Sequence, residues 1–172
     1  MSVSEPSRGV QWFGAIAAAL AAALIALGTS SPSWWTGHKG ALEMGVGLRE
    51  VELCASLSCV SRGLEGLGGG STAWPKLGAV GFAIGWVASL FLAAAAAGVL
   101  LSRRSQWTAR LGRAGSAVAL FALIVGAGFA WTYPGFDGLG AGWALVAYLA
   151  GAVVGVGAGG LLIAGGGSRP AT

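Results

Sequence analysis

The sequence predicts a membrane-embedded bundle of four α-helices that carries a small antiparallel β-sheet in its first long loop. The first observation is composition: of 172 residues, 55% are hydrophobic and 9% are charged, whereas soluble domains average about 25% charged residues. The mean hydropathy is +0.76. The second is four long apolar stretches. The third is an alternating apolar pattern that leads into a pair of cysteines between the first two stretches.

The four apolar stretches are each long enough to cross a bilayer, which takes about 20 residues. None contains Asp, Glu, Lys, Arg or His. They run over residues 10–29, 77–101, 114–133 and 141–164, and they leave a loop at 30–76. The first stretch also resembles a signal peptide, but it is longer than the apolar region of a typical signal peptide, which has about 7–15 residues. We therefore expect a retained helix and one membrane domain over residues 1–172.

Charge predicts the orientation of the chain. The short link between the second and third stretches has four arginines and no acidic residue, namely Arg103, Arg104, Arg110 and Arg113. Positively charged loops stay in the cytoplasm, so an even number of spans places both termini there and loop 30–76 outside. We expect a multi-pass protein of the cell (inner) membrane. The net charge of +4 then reflects topology and does not indicate a nucleic-acid partner.

Small residues recur at four-residue spacing in two of the stretches. The glycines are Gly81 and Gly85 in the second, and Gly151, Gly155 and Gly159 in the fourth. Residues four apart share one face of a helix, and small side chains let helices approach closely in lipid. This pattern predicts tight packing within the chain, with dimerisation as the alternative use of the same faces.

The first long loop predicts β-structure and a disulfide. Leu42, Met44 and Val46 alternate with other residues, which is typical of a strand, and the pattern resumes after a shift that suggests a bulge or bend near Gly47. A four-residue hairpin turn would place Cys54 opposite Cys59, close enough for a disulfide. On the oxidising side of the membrane such a bond persists and contributes about 2 kcal/mol. A redox pair that cycles between thiol and disulfide is the alternative.

Aromatic residues near the ends of the apolar stretches predict anchoring at the membrane surfaces, where such rings prefer to lie. We assign Trp12 and Trp107 to the inner surface. The residues assigned to the outer surface are Trp34, Trp35, Trp74, Trp131 and Tyr133.

The first loop resembles that of the claudin and peripheral myelin protein superfamily, which carries a Trp, then Gly-Leu-Trp, then two cysteines. The matching residues are Trp34 or Trp35, then Gly47-Leu48-Arg49, then Cys54 and Cys59. Arg49 replaces the last Trp of the motif, and the cysteine spacing is shorter. The resemblance implies a left-handed four-helix bundle topped by a sheet, with Trp34 or Trp35 beneath it. It implies no enzymatic activity. The roles that it implies are in cell contacts, in barriers or as accessory subunits of channels.

Few residues of this chain can carry chemistry. It has one His, one Asp and two Cys, which excludes a His/Cys metal cluster at the usual spacing and offers no motif for a catalytic triad. We expect no catalytic residues, metal or cofactor. The favoured function is a non-enzymatic scaffold or accessory/adhesion protein that acts through its outer loop on a membrane-protein partner or a second copy.

Two other functions remain open. One is a small channel or transporter subunit, although such pathways are normally marked by ionisable residues within the spans, and these stretches have none. The other is a thiol–disulfide oxidoreductase that uses Cys54 and Cys59 with a quinone.

Overall fold

The computed structural model describes residues 8–55, 58–66, 73–101 and 106–164, and four helices dominate it. They are α1 Arg8–Ser30, α2 Ala73–Leu100, α3 Gln106–Trp131 and α4 Trp143–Ala164. All four are long and apolar enough to cross a membrane. The predictions of a four-helix bundle and of a multi-pass membrane protein are therefore confirmed.

Two helices begin four or more residues earlier than the apolar pattern suggests. The second helix, α2, starts at Ala73 instead of residue 77, because Pro75 is compatible with a first helical turn, where its missing N–H costs nothing. The third, α3, starts at Gln106 instead of residue 114, so Arg110 and Arg113 lie on the helix. Arg103 and Arg104 lie outside the described residues. Hydropathy marks where lipid is expected, whereas helical hydrogen bonding continues beyond it.

The helices form a closed ring in which α1 contacts α2 and α4, and α3 contacts the same two neighbours. The interior of the ring is filled by side chains: Ile25, Leu92 and Tyr148 are fully buried. The Tyr148 hydroxyl donates a hydrogen bond of 3.0 Å to the carbonyl of Gly81. Ser116 of α3 likewise donates to the carbonyl of Val156 of α4 at 2.7 Å.

The glycines of the spaced rows lie at contacts within the chain. A Cβ atom on Gly151 would lie 2.8 Å from Leu24 Cβ and 2.9 Å from the Ile25 backbone nitrogen of α1. Gly155 faces Leu92 and Ala119, Gly159 faces Ser116, Gly85 faces Thr29 and Tyr148, and Gly81 faces Leu48. The glycine rows therefore serve packing inside one chain.

Five antiparallel strands form one sheet at the end of the bundle where α1 and α3 finish. They are β1 Trp35–Lys39, β2 Leu42–Val46, β3 Glu50–Ala55, β4 Ser58–Gly63 and β5 Leu139–Ala141. Their order in the sheet is β4-β3-β2-β1-β5. A short 3-10 turn, Leu64–Gly66, follows β4. The fifth strand comes from the connection between α3 and α4.

The expected bend near Gly47 is a complete chain reversal. Gly47, Leu48 and Arg49 form this reversal loop between β2 and β3, and the Gly47 N–H donates a hydrogen bond of 2.8 Å to the Glu50 carbonyl. What the alternation suggested to be one interrupted strand is thus a hairpin of two strands. The first strand, β1, was also missed, because its residues do not alternate between apolar and polar.

We predict that Gly151→Ala lowers the free energy of unfolding by about 1–3 kcal/mol, the usual effect of an extra carbon in a packed contact. Gly157→Ala is the matched control in the same helix, because no atom outside its own helix lies within 4 Å of the added carbon. Thermal unfolding in detergent, followed by circular dichroism, measures both. Equal unfolding temperatures for the two variants would contradict close packing at Gly151.

Candidate functional site

Trp34 connects the end of α1 to the start of the sheet. Its side chain is fully buried, and its indole N–H donates a hydrogen bond of 2.7 Å to the carbonyl of Gly28. In a continuing helix that carbonyl would accept the N–H four residues later, but residue 32 is Pro32 and has none. Trp34 thereby satisfies a buried backbone acceptor that the end of the helix leaves unpaired.

Seven aromatic side chains form a cluster between the sheet and the helices. The members of this aromatic cluster are Trp34, Trp35, Trp74, Phe129, Tyr133, Phe136 and Tyr148. Trp35 stacks on Tyr133 with ring centroids 4.3 Å apart, and Trp74 stacks on Phe129 at 4.8 Å. Offset stacked pairs of this kind contribute about 0.5–1.5 kcal/mol each beyond burial. Because the members come from the sheet, three helices and the α3–α4 connection, the cluster joins the sheet to the bundle.

Trp74 and Tyr133 each bring a polar group into the cluster. The Trp74 indole N–H donates to the carbonyl of Phe129 at 3.2 Å, which ties the start of α2 to the end of α3. Burial raises the pKa of the Tyr133 phenol above its ordinary value of 10.0, while the Phe136 backbone lowers it by less. The phenol is therefore neutral at physiological pH.

Trp34, Trp35 and Trp74 are all buried in the protein, so their rings do not anchor the chain by contact with lipid. Burial of Trp34 and Trp35 beneath the sheet agrees with what the loop resemblance implied. The sheet folds back onto the bundle end and covers these rings, an arrangement that hydropathy along the chain does not reveal. Trp131, by contrast, is 92% exposed. Trp12 and Trp107 are also exposed.

The reversal loop inserts into the end of the bundle. Leu48 is buried, its carbonyl oxygen lies against Gly78 of α2, and its side chain faces Gly81. On the other side, a Cβ atom on Gly47 would lie 2.9 Å from the Pro32 Cα atom. Glycine at positions 47 and 78 thus permits this close backbone approach, and Leu48 fixes the β2–β3 hairpin to α2.

Arg49 leaves the sheet and lies against α2. Its guanidinium carbon is 4.7 Å from the centre of the Phe82 ring, a cation–π contact. Phe82 lies about 13 Å along the axis of α2 from the start of that helix. Neither Glu50 nor Glu52 forms an ion pair with it within the described part of the chain.

Strands β2 to β4 have one apolar face. Its apolar side chains are Leu42, Met44, Val46, Val51, Leu53 and Val60, and the strand register also places Arg62 and Ser58 of β4 on this side. Val46 and Val51 are buried against the bundle, whereas Leu42, Leu53 and Val60 are 47%, 40% and 55% exposed. The outer part of this apolar face is therefore open.

The opposite, polar face carries the acidic residues of these strands and the cysteines. It comprises His38, Glu43, Glu50, Glu52, Cys54 and Cys59. Cys54 and Cys59 are register partners with Cα atoms 4.0 Å apart and are joined by a disulfide, as predicted. His38 Nδ1 lies 3.7 Å from Glu43 Oε1, but both side chains are about 70% exposed, so this contact stabilises the fold little.

Two members of the site have no signal in the sequence. Phe129 and Tyr148 lie within apolar stretches, and there the sequence does not distinguish a ring that is buried in the protein from one that faces lipid. A signal did exist for Trp34: Pro32 just after the first apolar stretch predicts an unpaired carbonyl one turn earlier. No family model matches the sequence, and no curated protein matches it. The claudin-like assignment remains a prediction from the loop motif.

We predict that Trp34→Leu lowers the free energy of unfolding by about 3 kcal/mol, because it removes buried rings and leaves a buried carbonyl unpaired. Trp131→Leu makes the same chemical change at an exposed position and should alter stability by less than about 0.5 kcal/mol. Chemical unfolding in detergent, followed by fluorescence, measures the difference. Similar losses for both variants would argue against Trp34 as the link between sheet and bundle.

Proposed function

We propose that this protein is a non-enzymatic, claudin-like membrane scaffold or accessory/adhesion protein, which presents the apolar face of its sheet to another protein. The supporting observation is the exposure of Leu42, Leu53 and Val60 on one side of a well-packed sheet. Leu53 and Val60 are direct register partners, so their side chains adjoin. Contiguous apolar surface rimmed by polar residues is typical of protein interaction sites.

The attachment of the sheet supports this role. The aromatic cluster and Leu48 hold one end of the sheet to the helices, and the disulfide joins β3 to β4 near the other end. A surface that is already ordered loses less conformational entropy when a partner binds.

An edge strand adds a second mode of contact. The fourth strand, β4, is at the end of the sheet order, and every one of its residues is exposed. An uncovered edge can accept a strand from a partner through backbone hydrogen bonds. A partner that pairs with β4 would also reach Val60.

The proposed orientation places the sheet outside the cytoplasm. Arg110 and Arg113 lie near the start of α3, at the end of the bundle away from the sheet, which agrees with positive residues on the cytoplasmic side. The disulfide agrees with an oxidising compartment around the sheet.

The test is site-specific photo-crosslinking in native membranes. A photoreactive residue at Val60 should capture a protein partner, since its side chain lies on the apolar face. The matched control is Ser61, the next residue of the same strand, which points to the polar face. We expect Val60 to capture about tenfold more partner, and Leu53→Ser to reduce that capture about tenfold, as at an interface hot spot.

The mass of the captured product distinguishes a second copy of this chain from another protein, and either outcome supports docking. Equal capture from Val60 and Ser61, or no capture from either, would overturn the proposal. Unchanged thermal unfolding of Leu53→Ser shows that any lost capture comes from the surface and not from misfolding.

A further inference from the structure

The only histidine of the chain and both of its cysteines lie in one row across the sheet. The register pairs His38 with Glu43, Glu43 with Cys54, and Cys54 with Cys59. Glu52 flanks the row on the same face, and its carboxylate oxygen and the two sulfur atoms all lie within 4.8 Å of one another. Side chains that are far apart in the sequence are thus adjacent on one polar face.

Packing does not account for this row. His38 and Glu43 are about 70% exposed, and neither belongs to the aromatic cluster. Thiolate, imidazole and carboxylate are the groups that bind zinc and other borderline divalent ions in proteins. Linear spacing could not indicate such a set, because the ligands meet only through strand pairing.

We propose that the thiol form of this row is a binding site for a borderline divalent cation such as zinc. Cys54, Cys59 and Glu52 are the ligands, and Glu43 lies beside them in the register, with its Oε1 atom 3.7 Å from His38 Nδ1. The disulfide form does not bind the ion in this way, because metal binding requires thiolate sulfur. The site is independent of docking through the apolar face.

The change of state needs a dithiol reductant that acts on the same side of the membrane as the sheet, because the disulfide persists in an oxidising compartment without one. Its two thiols exchange with the Cys54–Cys59 bond: that bond breaks, a new disulfide forms in the reductant, and two electrons and two protons pass to the cysteines. When the cation binds, both thiols lose their protons to water. Two thiolates and the Glu52 carboxylate then carry three negative charges against the two positive charges of the ion.

The sheet is suited to both states. Tetrahedral zinc with bonds of about 2.3 Å places two sulfur ligands roughly 3.8 Å apart. The Cα atoms of Cys54 and Cys59 are 4.0 Å apart, so rotation of the side chains is sufficient. Pairing of Glu52 with Ser61 and of Leu53 with Val60 keeps the strands in register. The ion would join β3 to β4 at the position of the disulfide.

The test compares the oxidised and the reduced full-length protein in detergent. Zinc is titrated against a chromophoric chelator, and cobalt replaces zinc to report thiolate ligands by their charge-transfer absorption. We expect the reduced protein to bind one ion per chain, at least about 100-fold more tightly than the oxidised protein. Glu52→Gln should weaken binding about tenfold. Glu50→Gln, which removes the same charge from the same face of β3, should leave it unchanged.

Equal affinity of the oxidised and reduced proteins would overturn the proposal, as would the absence of a cobalt–thiolate band. Equal effects of Glu52→Gln and Glu50→Gln would also overturn it. If reduction unfolds the β3–β4 hairpin, the two thiols bind metal without Glu52, and the two variants then have equal effects. Tryptophan fluorescence of the reduced protein identifies this case directly.

Discussion

The hydrogen bond from the Trp34 indole to the Gly28 carbonyl is the contact on which the arrangement of sheet and bundle depends. Pro32 prevents α1 from continuing and leaves that carbonyl without its helical partner. A buried unpaired carbonyl costs about 1–3 kcal/mol, so the chain must supply a donor there. Trp34 does so and brings β1, with Trp35, directly onto the end of α3 and the start of α4. The rest of the aromatic cluster packs around these two rings.

A second constraint is the closeness of the backbones where the reversal loop meets α2. Gly47 leaves room for Pro32 and Gly78 leaves room for the Leu48 carbonyl, while the buried Leu48 side chain lies against Gly81. The sheet is therefore held on two sides, by rings at β1 and by a short loop between β2 and β3. This attachment separates the two faces of β2 to β4 functionally. The apolar face is partly buried and partly available to a partner, and the polar face carries the groups able to bind an ion.

Much of the fold could be predicted because lipid imposes a strong rule on composition. The four apolar stretches contain no Asp, Glu, Lys, Arg or His, so the number of helices and their approximate limits are visible in the sequence. The β2–β3–β4 region was partly visible through alternation and through the cysteine pair. The strands β1 and β5 were not, because Thr36, Gly37 and His38 do not alternate and a three-residue strand has no pattern of its own. Their pairing is decided by the strands beside them.

The amino-acid sequence alone determined that this chain has four apolar helices and a loop closed by a Cys54–Cys59 disulfide, since both follow from local composition and short spacing. Only the tertiary structure decided which tryptophans are buried, because burial of Trp35 and Trp74 depends on a sheet that folds back over the bundle. It also decided that His38, Glu43 and the cysteines form one row. Strand register joins residues across a sheet, and the linear order of residues does not contain that register.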